Sequence, residues 1–276
     1  MDIQKIAAFS AGDQGGNPAG VVVGEALPDA ATMQAVAREV GFSETAFVAR
    51  SGAGWQVRYF SPEAEIPFCG HATIALAAAL AMRTGQARFH LELSRDAIDV
   101  EARSLSDRFG EASFISPPSR SAAVPDEDLA AALDLFGLQR ADLDPTLAPA
   151  RIHAGADHLL LPLASRATLA AMAYDFARGQ ALMREKGWLT VLLVHRESPT
   201  LFHARNPFAY GGVYEDPATG AAAAALAGHL RTQGYAAGTR IEVHQGDDMG
   251  TPCRLHATTP DEAGGRVRVS GTARVM

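Results

Sequence analysis

Residues 65–77 read EIPFCGHATIALA, and residues 215–227 read EDPATGAAAAALA. Without gaps, the two segments share the frame Glu-x-Pro-x-x-Gly, and the two copies lie 150 residues apart. The coinciding alanines carry little weight in an alanine-rich chain, whereas the glutamate, proline and glycine positions are distinctive. An internal repeat with so long a period indicates two duplicated halves and not a solenoid of short repeats.

Each copy of the repeat places a glycine immediately before an apolar, alanine-rich segment that is typical of a buried helix. The first predicted helix starts near Gly70 and ends at Gly85, and the second covers residues 220–234. The first backbone N–H groups of a helix have no partner within the helix. If the two helix starts face each other, they form a cleft suited to an anion or a developing oxyanion.

Short alternating segments outside the two helices predict many strands. The segment 30–41 predicts a further helix that ends at Gly41, and 126–136 predicts a short one inside a connecting stretch, 119–150, that follows Pro117 and Pro118. A turn through Asn17 and Pro18 is expected to separate the first two strands. Many strands, few helices and a partial second copy predict an α+β fold with two similar halves. The predicted strands are 5–9, 20–23, 44–50, 55–60, 89–94, 98–103, 108–118, 158–163, 189–196, 201–205, 241–246, 253–258 and 265–275.

Composition excludes several classes of function. The 276 residues carry 24 basic and 31 acidic side chains, a formal charge of −7, so we expect no binding of nucleic acid or anionic membranes. The longest apolar stretch, 72–82, is much shorter than the roughly 20 residues that span a bilayer. No signal peptide is recognised in the first residues. Two cysteines, Cys69 and Cys253, suit a reducing compartment, which predicts a cytoplasmic protein.

Four residues near the repeat and the first helix are candidates for chemistry, and each also has an ordinary structural interpretation. Glu44 in SETAFV is either a solvated loop residue or a general base. His71 in CGHAT is either a local hydrogen-bonding residue or a neutral donor or acceptor at a helix start. Cys69 is either buried or an activated thiolate. Asp216 in EDPATG is either a helix cap or a substrate-binding carboxylate.

Other catalytic and cofactor motifs are missing from the sequence. The nine histidines show no HExxH motif and no paired His/Cys spacing, so no metal site is predicted. His153 and His158 near Asp157 are the nearest approach to a cluster. The glycines of GDQGGNPAG, 12–20, suit a turn between strands better than a phosphate loop, because no Gly-Lys-Ser/Thr follows them.

Four motifs in this order and spacing resemble the phenazine-biosynthesis PhzF-like isomerase family: GNPAGVVV, SETAFV, RYFSPEAEIPFCGHATIALA and EDPATGAAAAAL. The resemblance extends from residue 6 to about residue 230. It implies the diaminopimelate-epimerase-like fold, in which two pseudo-symmetric halves each wrap a curved sheet or barrel around a central helix, with the active site in the cleft between them. The halves are expected at residues 1–118, with a returning strand 266–276, and at residues 119–265.

The resemblance also implies an isomerase that needs no cofactor. In the best-known member, a proton is taken from one ring carbon of 2,3-dihydro-3-hydroxyanthranilate and delivered to another. Glu44 matches the shuttling base and acid, while His71 and Asp216 match residues that hold the substrate. The further expected substrate-binding residues are Asn17, Ser43, Gly70, Ala72, Gly220 and Ala221. Ala221 departs from the serine common in the family, which affects the substrate more than the type of reaction. A small carboxylate substrate and a homodimer are also implied.

Two alternatives share this scaffold. An amino-acid racemase or epimerase would use two opposed thiols, one from each half. Cys69 can supply one, but EDPATGAAAAAL contains no cysteine and Cys253 lies well downstream in a predicted strand. A non-catalytic binder of small molecules is the other alternative, since a fold does not fix a function. The presence of Glu44, His71 and Asp216 together favours the one-base isomerase, because a binder needs no proton shuttle.

Overall fold

The computed structural model describes residues 1–94 and 97–276 and divides the chain into two compact units. Unit 1 comprises Met1–Ile115 and Ser270–Met276, and unit 2 comprises Ser116–Val269. Two strands run across these boundaries. The elements up to the first boundary are β1 Gln4–Ala8, β2 Asn17–Gly24, α1 Ala30–Val40, β3 Glu44–Ser51, β4 Gly54–Phe60, β5 Glu65–Ile66, α2 Gly70–Thr84, β6 Arg88–Glu92, β7 Ala97–Ser104 and β8 Phe109–Pro118.

The second part of the chain begins with a strand that the sequence did not predict. The elements from there on are β9 Arg120–Ala123, α3 Asp126–Phe136, β10 Ala150–His153, β11 Asp157–Leu163, α4 Arg166–Ala170, α5 Phe176–Lys186, β12 Thr190–Arg196, β13 Leu201–Arg205, β14 Pro207–Phe208, β15 Val213–Glu215, α6 Gly220–Thr232, β16 Arg240–Gln245, β17 Cys253–Thr258 and β18 Arg266–Val275.

Unit 1 is a closed barrel around α2. Among the described residues, eight strands follow one another in the order β1, β2, β3, β4, β6, β7, β8 and β18. The ring closes because β18 pairs with β1 in antiparallel register, with Val275 opposite Ile6. Helix α2 packs against β1, β2, β3 and β7, and its residues from His71 to Ala81 are all buried. A helix that is apolar on every side needs such an enclosure, which explains the alanine-rich sequence.

Unit 2 has a corresponding sheet around α6. Its strands follow the order β18, β17, β16, β13, β12, β11, β10 and β9 in the described part of the chain. Helix α6 packs against β9 and β10 at one end of this order and against β17 near the other, so the sheet curls round the helix. A separate apolar cluster around Trp188 and Leu161 lies beneath α3 and α5. The predicted α+β fold with two similar halves is thus confirmed.

Helix boundaries agree closely with the sequence. Asp29 caps α1 by accepting from the Thr32 N–H at 2.9 Å, and Gly41 and Gly85 end α1 and α2 in the left-handed region. No helix of the described residues is long and apolar enough to cross a membrane.

Two local predictions were wrong. The turn expected at Asn17 and Pro18 ends earlier, because β2 already begins at Asn17. The stretch 119–150 is not only a connection, since it contains β9, which pairs with β10, with Ser121 opposite Ile152.

Close packing around α6 makes Gly228 sensitive to substitution. A Cβ at this position would collide with the Ser119 side chain. We expect Gly228→Val to lower the free energy of unfolding by about 1–3 kcal/mol, the usual cost of overpacking a filled core. Urea denaturation would measure it, with Ala130→Val at an exposed position of α3 as the control. Equal stability of Gly228→Val and the parent chain would contradict this packing.

Candidate active site

Glu44 and His71 meet at one end of the unit 1 barrel. Glu44 is the first residue of β3, and His71 is the second residue of α2. The Nε2 atom of His71 lies 3.2 Å from Oε2 of Glu44, and the two side chains are only 7% and 15% exposed. The barrel thus brings together two predicted site residues that belong to separate sequence motifs.

His71 is held from both sides. Its Nδ1 lies 3.2 Å from Sγ of Cys69, and its Nε2 lies 3.4 Å from Oγ of the exposed Ser43. We call Ser43, Glu44, Cys69 and His71 the His71 cluster. Contacts at both ring nitrogens fix the plane of the imidazole, which a residue needs if it is to position a ligand or a neighbouring carboxylate.

One carboxylate oxygen of Glu44 accepts no hydrogen bond from the described residues. Oε2 is buried and has no hydrogen-bond partner in the described part of the chain, since the approach of His71 at 3.2 Å lacks hydrogen-bond geometry. Buried polar atoms are nearly always paired in native proteins, so such an exception calls for an explanation. An acceptor oxygen kept free by the protein is available to take a proton from a bound molecule.

A chain of hydrogen bonds supports the start of α2 behind this cluster. The hydroxyl of Thr73 donates to the carbonyl of Cys69 at 2.7 Å, and the hydroxyl of Tyr59 lies 2.7 Å from the same Thr73 oxygen. Because the Thr73 proton is already engaged, Tyr59 acts as the donor. Burial raises the pKa of Tyr59 far above its usual value, which keeps this donor neutral. The backbone of Cys69 is therefore anchored where the helix begins.

Three other predicted residues of unit 1 lie on β2 and in the first turn of α2. Ala19 is the strand partner of Glu44, so buried Asn17, two residues earlier on β2, lies at the same end of the sheet. Gly70 and Ala72 flank His71 in the first turn of α2, where backbone N–H groups lack helical partners.

Asp216 belongs to a second polar group, which lies in unit 2. Its Oδ2 accepts from the Thr219 hydroxyl at 2.5 Å, and its backbone carbonyl accepts from Nε2 of Gln245 at 2.6 Å. The fully buried Asn206 donates to the Thr219 hydroxyl oxygen, and its own Oδ1 has no partner among the residues described. We call Asn206, Asp216, Thr219 and Gln245 the Asp216 cluster.

Gly220 and Ala221 open α6 directly after Thr219, which is the N-cap residue of that helix. The Gln245 side chain accepts from the Thr219 N–H at 3.2 Å, so this end of α6 is tied to β16. Ala221 carries no hydroxyl group. Thr219, two residues earlier, carries one, and this hydroxyl donates to Asp216. That both helix starts face one cleft stays a prediction.

The repeated glutamate has a role that sequence reasoning missed. Arg58 donates to Glu65 through Nε at 2.7 Å and Nη2 at 2.5 Å, and Arg205 donates to Glu215 through the same two nitrogens. Each pair links the segment that precedes a central helix, α2 or α6, to an earlier strand, β4 or β13. The arginines precede their glutamates by different numbers of residues, so an alignment without gaps does not reveal them.

The His71 cluster also contains donor atoms that a metal ion accepts. One ligand atom each from Glu44, Cys69 and His71 lies within 4.8 Å of the other two. No metal-binding motif was recognised here in the sequence, and the absence of a metal from the reaction stays a prediction.

Solved structures of other proteins share this fold. A probable proline racemase of Agrobacterium radiobacter superposes with a TM-score of 0.61 at 10% identity, covering 99% of this chain and 90% of that one. A PhzF-family phenazine biosynthesis protein of Bacillus anthracis gives a TM-score of 0.85 at 23% identity, covering 99% and 96%. The architecture is therefore diaminopimelate-epimerase-like, as the sequence predicted.

Sequence comparison identifies the family. The family described as phenazine biosynthesis-like protein, PhzC-PhzF, matches residues 6–276, and the chain belongs to it. The trans-2,3-dihydro-3-hydroxyanthranilate isomerase of Pseudomonas chlororaphis is 32% identical over 281 aligned positions, covering 96% of this chain and 94% of its own length. The predicted family is confirmed, and the protein is a PhzF-like isomerase.

Proposed function

We propose that this isomerase moves a proton between two carbons of a small cyclic carboxylate of the dihydrohydroxyanthranilate type, with Glu44 as the only base. The relative from Pseudomonas chlororaphis, whose name states that substrate, supports the substrate class. The observation that carries the mechanism is the buried Oε2 of Glu44, which has no donor among the described residues.

The reaction begins when Glu44 removes a proton from an activated ring carbon. The electron pair of the broken C–H bond shifts into the ring and moves the double bond, so the far carbon of the allylic system gains electron density. The protonated Glu44 then delivers its proton to that carbon and becomes a carboxylate again. No atom or electron is gained overall, which fits an isomerisation that needs only one acid–base group.

His71 and Asp216 are proposed to bind the polar groups of the substrate. The His71 ring is fixed by Cys69 and Ser43, so it can orient both a ligand and the neighbouring Glu44. Asp216 is fixed through Thr219 and Gln245. The proposed substrate-binding set is completed by Asn17, Ser43, Gly70, Ala72, Gly220 and Ala221.

A direct test is conversion of a substrate panel followed by proton NMR, with chiral chromatography to read the configuration of proline and hydroxyproline. We expect trans-2,3-dihydro-3-hydroxyanthranilate to be isomerised, and proline and hydroxyproline to keep their configuration. Heat-denatured protein is the control. Binding of the dihydrohydroxyanthranilate without conversion would support a non-catalytic binder. Epimerisation at an α-carbon would support the racemase.

The racemase alternative needs a second thiol, and the position of Cys253 opposes it. Cys253 begins β17, is fully buried, and its Sγ contacts the carbonyl of Thr251 at 3.2 Å. A catalytic base must be able to contact the bound substrate. A thiol buried inside a packed sheet cannot do so.

Replacement of Cys69 therefore has a clear expected result. Cys69→Ala should keep most of the turnover, because in a one-base reaction the thiol only supports the ring of His71. Steady-state kinetics of Cys69→Ala and Cys69→Ser would measure it. A fall of about 10³-fold or more in turnover in both, with the melting temperature unchanged, would show that the thiol takes part in proton transfer.

A further inference from the structure

Three strands of unit 2 carry histidines at paired positions. His195 on β12 is paired with His203 on β13, and His203 is paired with His244 on β16. Paired residues on neighbouring strands are about 4.8 Å apart and point to the same face of a sheet. The ring centroids of His203 and His244 are 5.3 Å apart, and those of His195 and His203 are 6.5 Å apart. The three imidazoles form a row across the sheet.

Carboxylates fix the tautomers of two of these rings. Nε2 of His203 lies 2.6 Å from Oε2 of Glu197, and Nε2 of His244 lies 2.7 Å from Oε1 of Glu242. A carboxylate accepts hydrogen bonds, so Nε2 carries the hydrogen in both rings and a neutral ring keeps its lone pair on Nδ1. Histidines that bind metals usually donate their second N–H to a carboxylate in this way.

The second ring nitrogen of His203, Nδ1, has no polar partner in the described part of the chain. This atom is buried and makes no hydrogen bond there. A buried acceptor without a donor is costly, and a bound cation would satisfy it.

A tight turn after β16 adds a carboxylate. Gly246 has a φ of 80°, and a Cβ there would collide with the carbonyl oxygen of Thr251, so the turn requires glycine. The turn places Asp247 beside the row of histidines. One ligand atom each of His203, His244 and Asp247 lies within 4.8 Å of the other two.

The local charge favours a cation. Glu197, Glu242 and Asp247 are acidic, and the guanidinium of Arg254 offsets one of these charges by donating to Oδ1 of Asp247 at 2.9 Å. A carboxylate has a second oxygen that remains available to an ion. The side chains of His203, His244 and Asp247 are 16%, 20% and 27% exposed, so the group lies close to the protein surface.

We propose that His203, His244 and Asp247 bind a divalent transition-metal ion of the Zn²⁺ type, through Nδ1 of both rings and one carboxylate oxygen. Imidazole and carboxylate ligands suit Zn²⁺, and three protein ligands leave one position for water. With metal–ligand distances of about 2.1 Å, ligand atoms around a tetrahedral ion lie about 3.4 Å apart. The widest pair must therefore close by up to about 1.4 Å, within reach of side-chain rotation.

Calorimetric titration of Zn²⁺ into the chelator-treated full chain tests this site. We expect one ion per chain, and an affinity lowered by about 100-fold or more in His203→Asn and His244→Asn. Glu197→Gln keeps all three ligands but loses the carboxylate behind His203, so it should weaken binding by about 10–100-fold. His90→Asn is the matched control, because His90 makes a similar pair with Asp99 at 2.7 Å on unit 1. The control should bind as the parent does.

A rise in the melting temperature with added Zn²⁺ provides a second measurement that also reports whether each variant folds. The rise should occur in the parent and in His90→Asn and be lost in His203→Asn. An affinity unchanged in His203→Asn and Glu197→Gln would overturn the proposal, as would a parent that binds no Zn²⁺. Binding lost in Cys69→Ser but kept in His203→Asn would also overturn it, because the ion would then belong to the His71 cluster.

Discussion

Glu44→Gln should lower turnover by about 10²–10⁴-fold or more while the melting temperature hardly moves, since general acid–base groups contribute about that much. Glutamine keeps the size of the side chain and most of its hydrogen bonding, but it cannot accept the proton. The Oε2 atom makes no hydrogen bond in the described part of the chain, and an amide oxygen can keep its contact with Nε2 of His71 at 3.2 Å.

Kinetics separate this role from a binding role. A group that acts only in the transition state lowers kcat and leaves KM nearly unchanged, whereas loss of a binding contact raises KM. Glu63→Gln is the matched control, because Glu63 is an exposed loop carboxylate of the same half. Parent-like turnover in Glu44→Gln, on a substrate that the parent isomerises, would leave Glu44 as a loop residue.

Glu215→Gln should lower the free energy of unfolding by about 3–5 kcal/mol, the usual cost of leaving one buried charge without its partner. The side chains of Glu215 and Arg205 are only 3% and 10% exposed. Arg205 also donates to the carbonyls of Ala170 and Met172, at 2.9 Å and 3.1 Å, so it cannot easily turn towards water.

The other half of the repeat provides the control. Glu65→Gln breaks the equivalent pair with Arg58, but those side chains are 32% and 26% exposed. Partly exposed ion pairs contribute about 0–1 kcal/mol, so this variant should be much less destabilised. Urea denaturation of the two variants gives the comparison. Equal losses would show that burial does not set the strength of these pairs.

Much of the fold follows from local patterns in the sequence. Alternation marks most strands, and uniform apolarity marks α2 and α6, because each pattern reflects the burial of that element. Strand β9 was missed because RSAA shows no alternation, and it is held by pairing with β10. The segment between β11 and β12 forms two short helices, α4 and α5.

The candidate site was predictable only in part. Glu44, His71 and Asp216 stand in short motifs that identify them. Asn206, between β13 and β14, and Gln245, the last residue of β16, reach Thr219 from segments distant in sequence, so only the folded chain brings them together. The same holds for His203 and His244, whose proximity depends on strand register and not on spacing along the chain.

Isomerisation in heavy water tests the one-base mechanism most directly. The parent chain, Cys69→Ala and Glu44→Gln would each be incubated in D₂O with trans-2,3-dihydro-3-hydroxyanthranilate, and the product analysed by NMR and mass spectrometry. The account predicts product from the parent and Cys69→Ala, with any deuterium confined to the one carbon that receives the proton, and no product above background from Glu44→Gln. Labelled product from Glu44→Gln at the parent rate, or its loss in Cys69→Ala alone, would contradict the account.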